Sequence, residues 1–197
     1  SFGESIIHQD FFGNRTPLLY LLNFYLNPFL NNIYLYRLSI FVASLSGPLL
    51  FYIFLKDKYK DSNKYILFLF SLILLLSPYY RTSAIWGLEI IYGVIFSILS
   101  VIFLRNFEKN KSYKNLFLLI LVSSLTIYFD QKLLIIPLIC FFKIILLKKQ
   151  NNLKLFSIFF YILLSIPYIY LIIEWKGIVP TLTQKSNPDA INTFKNI

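Results

Sequence analysis

Charge is scarce in this chain. Asp, Glu, Lys and Arg make up only 14% of its 197 residues, against ~25% in an ordinary soluble domain. A soluble fold needs more polar surface than that to cover its core, so soluble enzyme folds and disordered tails are excluded. Cysteine is almost missing. Cys140 stands alone in an apolar run, so it forms no internal disulfide and reads as a small packing residue. Histidine is equally rare: His8 has no second ligand at useful spacing, and no metal site built on histidine is expected. Methionine is absent altogether, even at position 1. An intact translation product begins with Met, so the chain is expected to be a fragment or a processed product. Residues 1–8 lack the basic and apolar regions of a signal peptide, which makes a missing upstream segment the simpler account. No P-loop, GxGxxG, GxSxG, cysteine cluster or internal repeat is present.

What remains is apolar. Hydrophobic residues reach 57%, aromatic residues 19%, and mean hydropathy is +0.66. This composition predicts an all-α polytopic transmembrane helix bundle. The net charge is +10, but a nucleic-acid binder would not be this apolar, so no nucleic-acid partner is expected. The lysines belong between the spans. Six apolar runs can be read: Leu35–Leu55, Tyr65–Tyr80, Ala84–Leu104, Leu116–Phe129, Leu133–Leu147 and Leu153–Ile173. The first is about 32 Å long as a helix, enough to cross. The fourth and fifth are short and are divided by Asp130-Gln131-Lys132; one long helix broken at Asp130 is the other reading.

Charge placement separates these readings. Lys56–Lys64, Arg105–Asn115 and Lys148–Lys154 are rich in basic residues, while the loops around Arg81 and Lys132 carry one each. The positive-inside rule puts the three basic loops on the cytoplasmic side. Two crossings are then required between the second and third, so Asp130-Gln131-Lys132 is the tip of an outer hairpin and about six spans are expected. The expected organisation is an extracytoplasmic loop at 1–32, a bundle at 33–173 and an extracytoplasmic tail at 174–197. In the first loop Pro17 can start a helix with Thr16 as N-cap; Leu18–Leu26 is too short to span and either lies in the interface or caps the bundle.

The polar residues outside the basic loops map to the outer side: Glu4, His8, Asp10, Arg15, Arg81, Asp130 and Lys132. Glu89 is expected about 8 Å inside its helix, five residues from the end at ~1.5 Å each. An intramembrane carboxylate faces a site or a structural partner, here Arg81 or Lys132. Arg81, after Ser77-Pro78-Tyr79-Tyr80, suits paired hydrogen bonds to a phosphate, or else anchors the interface with its tyrosines. Arg37 and Lys143 are expected to snorkel.

The stretch Asp10-Phe11-Phe12-Gly13-Asn14-Arg15-Thr16-Pro17-Leu18-Leu19-Tyr20 resembles the end of the first outer loop in GT-C type membrane glycosyltransferases. Ser77-Pro78-Tyr79-Tyr80-Arg81, followed by Ala84-Ile85-Trp86-Gly87-Leu88-Glu89, is similar to an outer turn and the following helix of that group. The protein-mannosyltransferase-like bacterial members are the nearest, over residues 1–147. The resemblance implies sugar transfer from a polyprenyl-phosphate donor at the outer face of a bacterial inner membrane, often near a divalent cation. It implies Asp10 as general base and Glu89 as a cavity residue, both counted as catalytic. It implies Arg81, Lys132, Tyr80 and Trp86 as substrate contacts, Lys132 standing where relatives carry Arg. The group's main acidic pair lies further upstream, in a region this chain does not contain. Two alternatives stay open. One is a non-catalytic protein such as a lipid-linked glycan flippase or transporter subunit, although no repeat is visible. The other is a glycan polymerase or ligase.

Overall fold

The computed structural model describes residues 18–29, 32–147, 150–175 and 177. Among them there are helices and turns and no strand. The order is α1 (Leu18–Leu26), α2 (Ile33–Ser44), α3 (Ser46–Lys58), α4 (Lys64–Ser71), α5 (Ile73–Leu76), α6 (Pro78–Trp86), α7 (Ile90–Asn110), α8 (Tyr113–Phe129), a 3-10 turn (Gln131–Leu134), α9 (Ile135–Ile145) and α10 (Asn151–Trp175). Three helices are long and apolar enough to cross a membrane: α2 joined to α3 at Ile33–Lys58, α7, and α10. A fourth arises if α4–α5 and α6 form one span bent by 65°. Each of the six apolar runs falls on helix, but α8 at 17 residues and α9 at 11 are short for a crossing. Only 11% of the apolar stretch of α10 is fully buried within the chain; one side packs Phe156, Phe160, Tyr161 and Leu164 on the bundle, while Leu155, Phe159, Ile162 and Ile166 are exposed.

The breaks in these helices arise at particular residues. Pro48 has no N–H to offer the Ser44 carbonyl, and α2 gives way to α3 at Leu45. The Tyr80 hydroxyl of α6 supplies the missing donor to that carbonyl. Gly47 leaves room for it, since a Cβ there would collide with the Tyr80 hydroxyl. Tyr80 therefore works as an internal strut, buried between α3 and α6.

The expected runs Tyr65–Tyr80 and Ala84–Leu104 also change their limits. Ser77 caps α6 by accepting from the Tyr80 N–H at 3.4 Å, with Pro78 in the first turn. Gly87, at φ +69°, closes α6, and the N–H groups of Gly87 and Leu88 both return to the Ser83 carbonyl. A Cβ at Gly87 would press on Tyr36 and Ile40. The segment expected as a loop around Arg81 is thus a helix, and the next long helix starts at Ile90.

Packing fixes the rest. Phe129 of α8 stacks on Tyr92 at 5.6 Å and meets Phe96 at 5.0 Å, both on α7. Nearer the other end, Phe107, Leu116, Leu119, Ile120, Cys140 and Ile144 form a buried cluster across α7, α8 and α9. Cys140 packs there as expected. Asp57 at the end of α3 accepts from Arg105 Nε and Lys109 Nζ, each at 2.6 Å, tying α3 to α7. One end of the bundle gathers the lysine-rich turns at 59–63 and 111–112; the other gathers the turns at 27–29, 87–89 and 130–134.

Tyr80→Phe removes the hydroxyl donor to the Ser44 carbonyl and is expected to cost about 1–3 kcal/mol, read as a lowered unfolding midpoint in detergent. Adding Pro48→Ala restores a backbone N–H below that carbonyl and should recover part of the loss. Additive losses in the double variant would mean that the carbonyl is not what Tyr80 serves.

Candidate functional site

The end opposite the lysines carries the two buried carboxylates among the described residues, Glu89 and Asp130. Glu89 occupies the N-cap position of α7 and is 6% exposed. Hydropathy places it one and a half turns inside a helix. The reason for the difference is Gly87, which stops α6 and forces a turn before α7 begins. At the head of α7 a carboxylate sits where the helix dipole favours negative charge, which offsets part of its burial cost. The ion pairs seen among the described residues are those of Asp57 with Arg105 and Lys109.

A second buried carboxylate lies at the α8–α9 turn. Asp130 is 1% exposed, and its Oδ1 accepts from the Lys132 N–H at 3.0 Å, capping the 3-10 turn. The sequence marked Asp130 only as the tip of a hairpin. Its signal was available: an Asp directly after an apolar run and two residues before the next helical turn is a cap pattern. Lys132 itself is exposed. The turn closes on α7 because residue 93 is glycine; a Cβ there would run into the Leu133 side chain. Gly93 in turn donates its N–H to the Glu89 carbonyl at 3.2 Å. Glu89, Gly93 and the Asp130 turn thus form one connected unit.

Beside it, α1 lies against the bundle. Asn23 is buried and donates to the Leu19 carbonyl at 2.9 Å. Asn27 donates to Asn23 Oδ1 at 2.9 Å and to Ser39 Oγ at 3.1 Å, which pins α1 to α2. These residues line a cleft of about 340 Å³ with Pro28, Phe29 and Tyr92. An apolar groove of about 250 Å³ runs between α8, α9 and α10, lined by Tyr128, Leu134, Pro137, Leu138, Phe141 and Tyr168 among others. Tyr128 and Leu134, both in its lining, flank the Asp130 turn in sequence.

The expected site residues divide. Asp10 lies outside the described residues, as do Glu4, His8, Arg15, Thr16, Pro17, Lys148 and Lys149 and most of 174–197. Arg81 is an exposed helical residue, one position after the buried Tyr80. Trp86 ends α6, with the Arg37 guanidinium 4.7 Å from its ring centroid. Trp86 is otherwise exposed. Among the described residues no group of three His, Cys, Asp or Glu is gathered to hold a metal ion, so a divalent cation finds no ligand set there.

Asp130→Asn keeps an acceptor for the Lys132 N–H and should stay within about 0.5 kcal/mol of the parent, whereas Asp130→Ala loses the cap and about 1 kcal/mol. Thermal unfolding of the two variants in detergent measures the contrast. Equal losses would assign the turn's stability to the charge of Asp130 and not to its cap.

In comparisons with known proteins, no family model, no curated protein and no solved structure matches the chain.

Proposed function

We propose that the chain belongs to a membrane glycosyltransferase that moves a sugar from a polyprenyl-phosphate donor to an acceptor at the extracytoplasmic face. The observation that supports this reading is the apolar groove between α8, α9 and α10, with the exposed Lys132 two residues before its lining residue Leu134. An amphiphile with an isoprenoid tail and an anionic head fits that arrangement. The tail lies against Pro137, Leu138 and Phe141, and a cation meets the phosphate at the mouth. The reading also requires about six crossings, with the lysine-rich end in the cytoplasm. The bent α4–α6 segment and the short α8 and α9 then serve as thin or tilted spans. This orientation brings Glu89, Asp130 and the α1 cleft to the outer face of a bacterial inner membrane.

Roles are assigned from the chemistry. A carboxylate takes the proton of the acceptor hydroxyl as that oxygen bonds to the sugar's anomeric carbon. The bond to the lipid phosphate breaks, and the phosphate leaves with its electron pair. Asp10 is assigned as that base. Arg81 and Lys132 are assigned to the leaving phosphate, whose charge grows in the transition state. Glu89 shapes the cavity from the head of α7.

Transfer of labelled sugar from a polyprenyl-phosphate donor, in membranes holding the full-length protein, tests these roles. Asp10→Asn and Arg81→Ala should each lower transfer by tenfold or more while membrane insertion is unchanged. Full activity in both variants overturns the site. Donor retention with no transfer by the parent protein would favour the non-catalytic lipid-linked glycan flippase instead.

The orientation has its own test. On a Cys140→Ser background, Lys132→Cys should react with an impermeant maleimide from outside intact cells, while Ser62→Cys and Lys111→Cys react only after permeabilisation. Labelling of all three from one side would overturn the six-span arrangement.

A further inference from the structure

We propose that the cavity between α3 and α4, at the lysine-rich end, binds the phosphate headgroup of an anionic phospholipid. The cavity measures about 470 Å³ and is lined by Lys56, Lys60 and Lys64 together with Asp57, Tyr59 and Ser62. The one carboxylate in the lining does not cancel these lysines. Asp57 already accepts from Arg105 and Lys109 at 2.6 Å. Asp61, in the same turn, is not part of the lining. Lys58 is turned elsewhere, over the Phe54 and Tyr59 rings. None of Lys56, Lys60 and Lys64 forms an ion pair among the described residues. Three lysines thus line one pocket whose own acid is already paired.

The walls identify the source of the phosphate. Ile53 and Leu67 form the apolar side of the cavity, and Ile53, Ile66 and Leu69 are exposed on α3 and α4 below it. A headgroup in the pocket leaves its acyl chains along those residues, at the level where the apolar helices end. A soluble phosphate would gain nothing from that surface. Lysines at a membrane surface each strengthen anionic-lipid binding on the order of fivefold. A basic pocket between helices holds the lipid in one place, which a dispersed charge does not do. This site lies at the opposite end from the groove beside the Asp130 turn and does not depend on the glycosyltransferase reading.

The test is retention of phosphatidylglycerol by the purified full chain, measured by native mass spectrometry from mixed micelles with phosphatidylcholine. The parent should retain phosphatidylglycerol in preference. The triple variant Lys56→Gln, Lys60→Gln, Lys64→Gln should lose that preference by tenfold or more, and the triple Lys→Arg variant should keep it. Lys111→Gln with Lys114→Gln removes exposed lysines outside the pocket and should leave it intact. An equal loss in that control would mean general surface charge and overturn the site. Competition by millimolar inorganic phosphate would assign the pocket to a free anion and also overturn it. Unchanged retention in the triple Gln variant would do the same.

Discussion

The Ser44 carbonyl and the Tyr80 hydroxyl make the hydrogen bond on which the junction of α2, α3 and α6 depends. In apolar surroundings a carbonyl released from a helix has no water to turn to. Pro48 releases the Ser44 carbonyl, and the chain answers with a tyrosine from a helix thirty-six positions away. A tyrosine hydroxyl also enters the ladder of α10, one carbonyl after the Leu163 carbonyl that Pro167 leaves without its N–H. There the Tyr128 hydroxyl stands between the Leu164 carbonyl and the Tyr168 N–H, donating to one and accepting from the other. A hydroxyl inserted into a helical ladder bends the helix without leaving its polar groups unpaired. Serines do this locally: Ser44, Ser71, Ser97 and Ser100 each return their hydroxyl to a carbonyl three or four residues earlier. Hydroxyls committed in this way are structural, which limits how many polar groups near the helix breaks remain for a ligand.

Charge is arranged by the same economy. The few carboxylates among the described residues stand at or near helix ends. Asp57 serves two cations from α7 and also receives Arg105 Nη2 on its carbonyl at 3.0 Å. One acid therefore orders the junction of α3 and α7. Exposed ion pairs contribute little individually, but a shared carboxylate with a backbone contact fixes geometry. Glu89 and Asp130 stand at the opposite end and are buried, whereas Asp57 is part-exposed.

Hydropathy made the helices legible. All six apolar runs are helical because composition alone decides that a long apolar stretch must satisfy its backbone internally. The limits of the runs were not legible, for a physical reason. Thr82-Ser83-Ala84-Ile85-Trp86 is apolar enough to merge with the helix after it, and only the left-handed backbone of Gly87 separates them. A single glycine carries no hydropathy signal, so Glu89 read as an interior residue when it heads α7. Ser77-Pro78 was legible as a break, and it is one. Tyr80 looked like an interfacial side chain because nothing local in the sequence announces that Ser44, in another helix, lacks a donor. Asp130 was visible as a polar residue, but its burial comes from Gly93 and Leu133, two positions far apart in sequence.

The Gly93 contact also decides how the two halves of the opposite end meet. Leu133 can seat on α7 only because position 93 has no side chain. The N–H of the same glycine holds the Glu89 carbonyl, so the head of α7 and the Asp130 turn meet at one residue of backbone. Two buried carboxylates, one at the N-cap of α7 and one capping the 3-10 turn, are therefore placed by a single glycine.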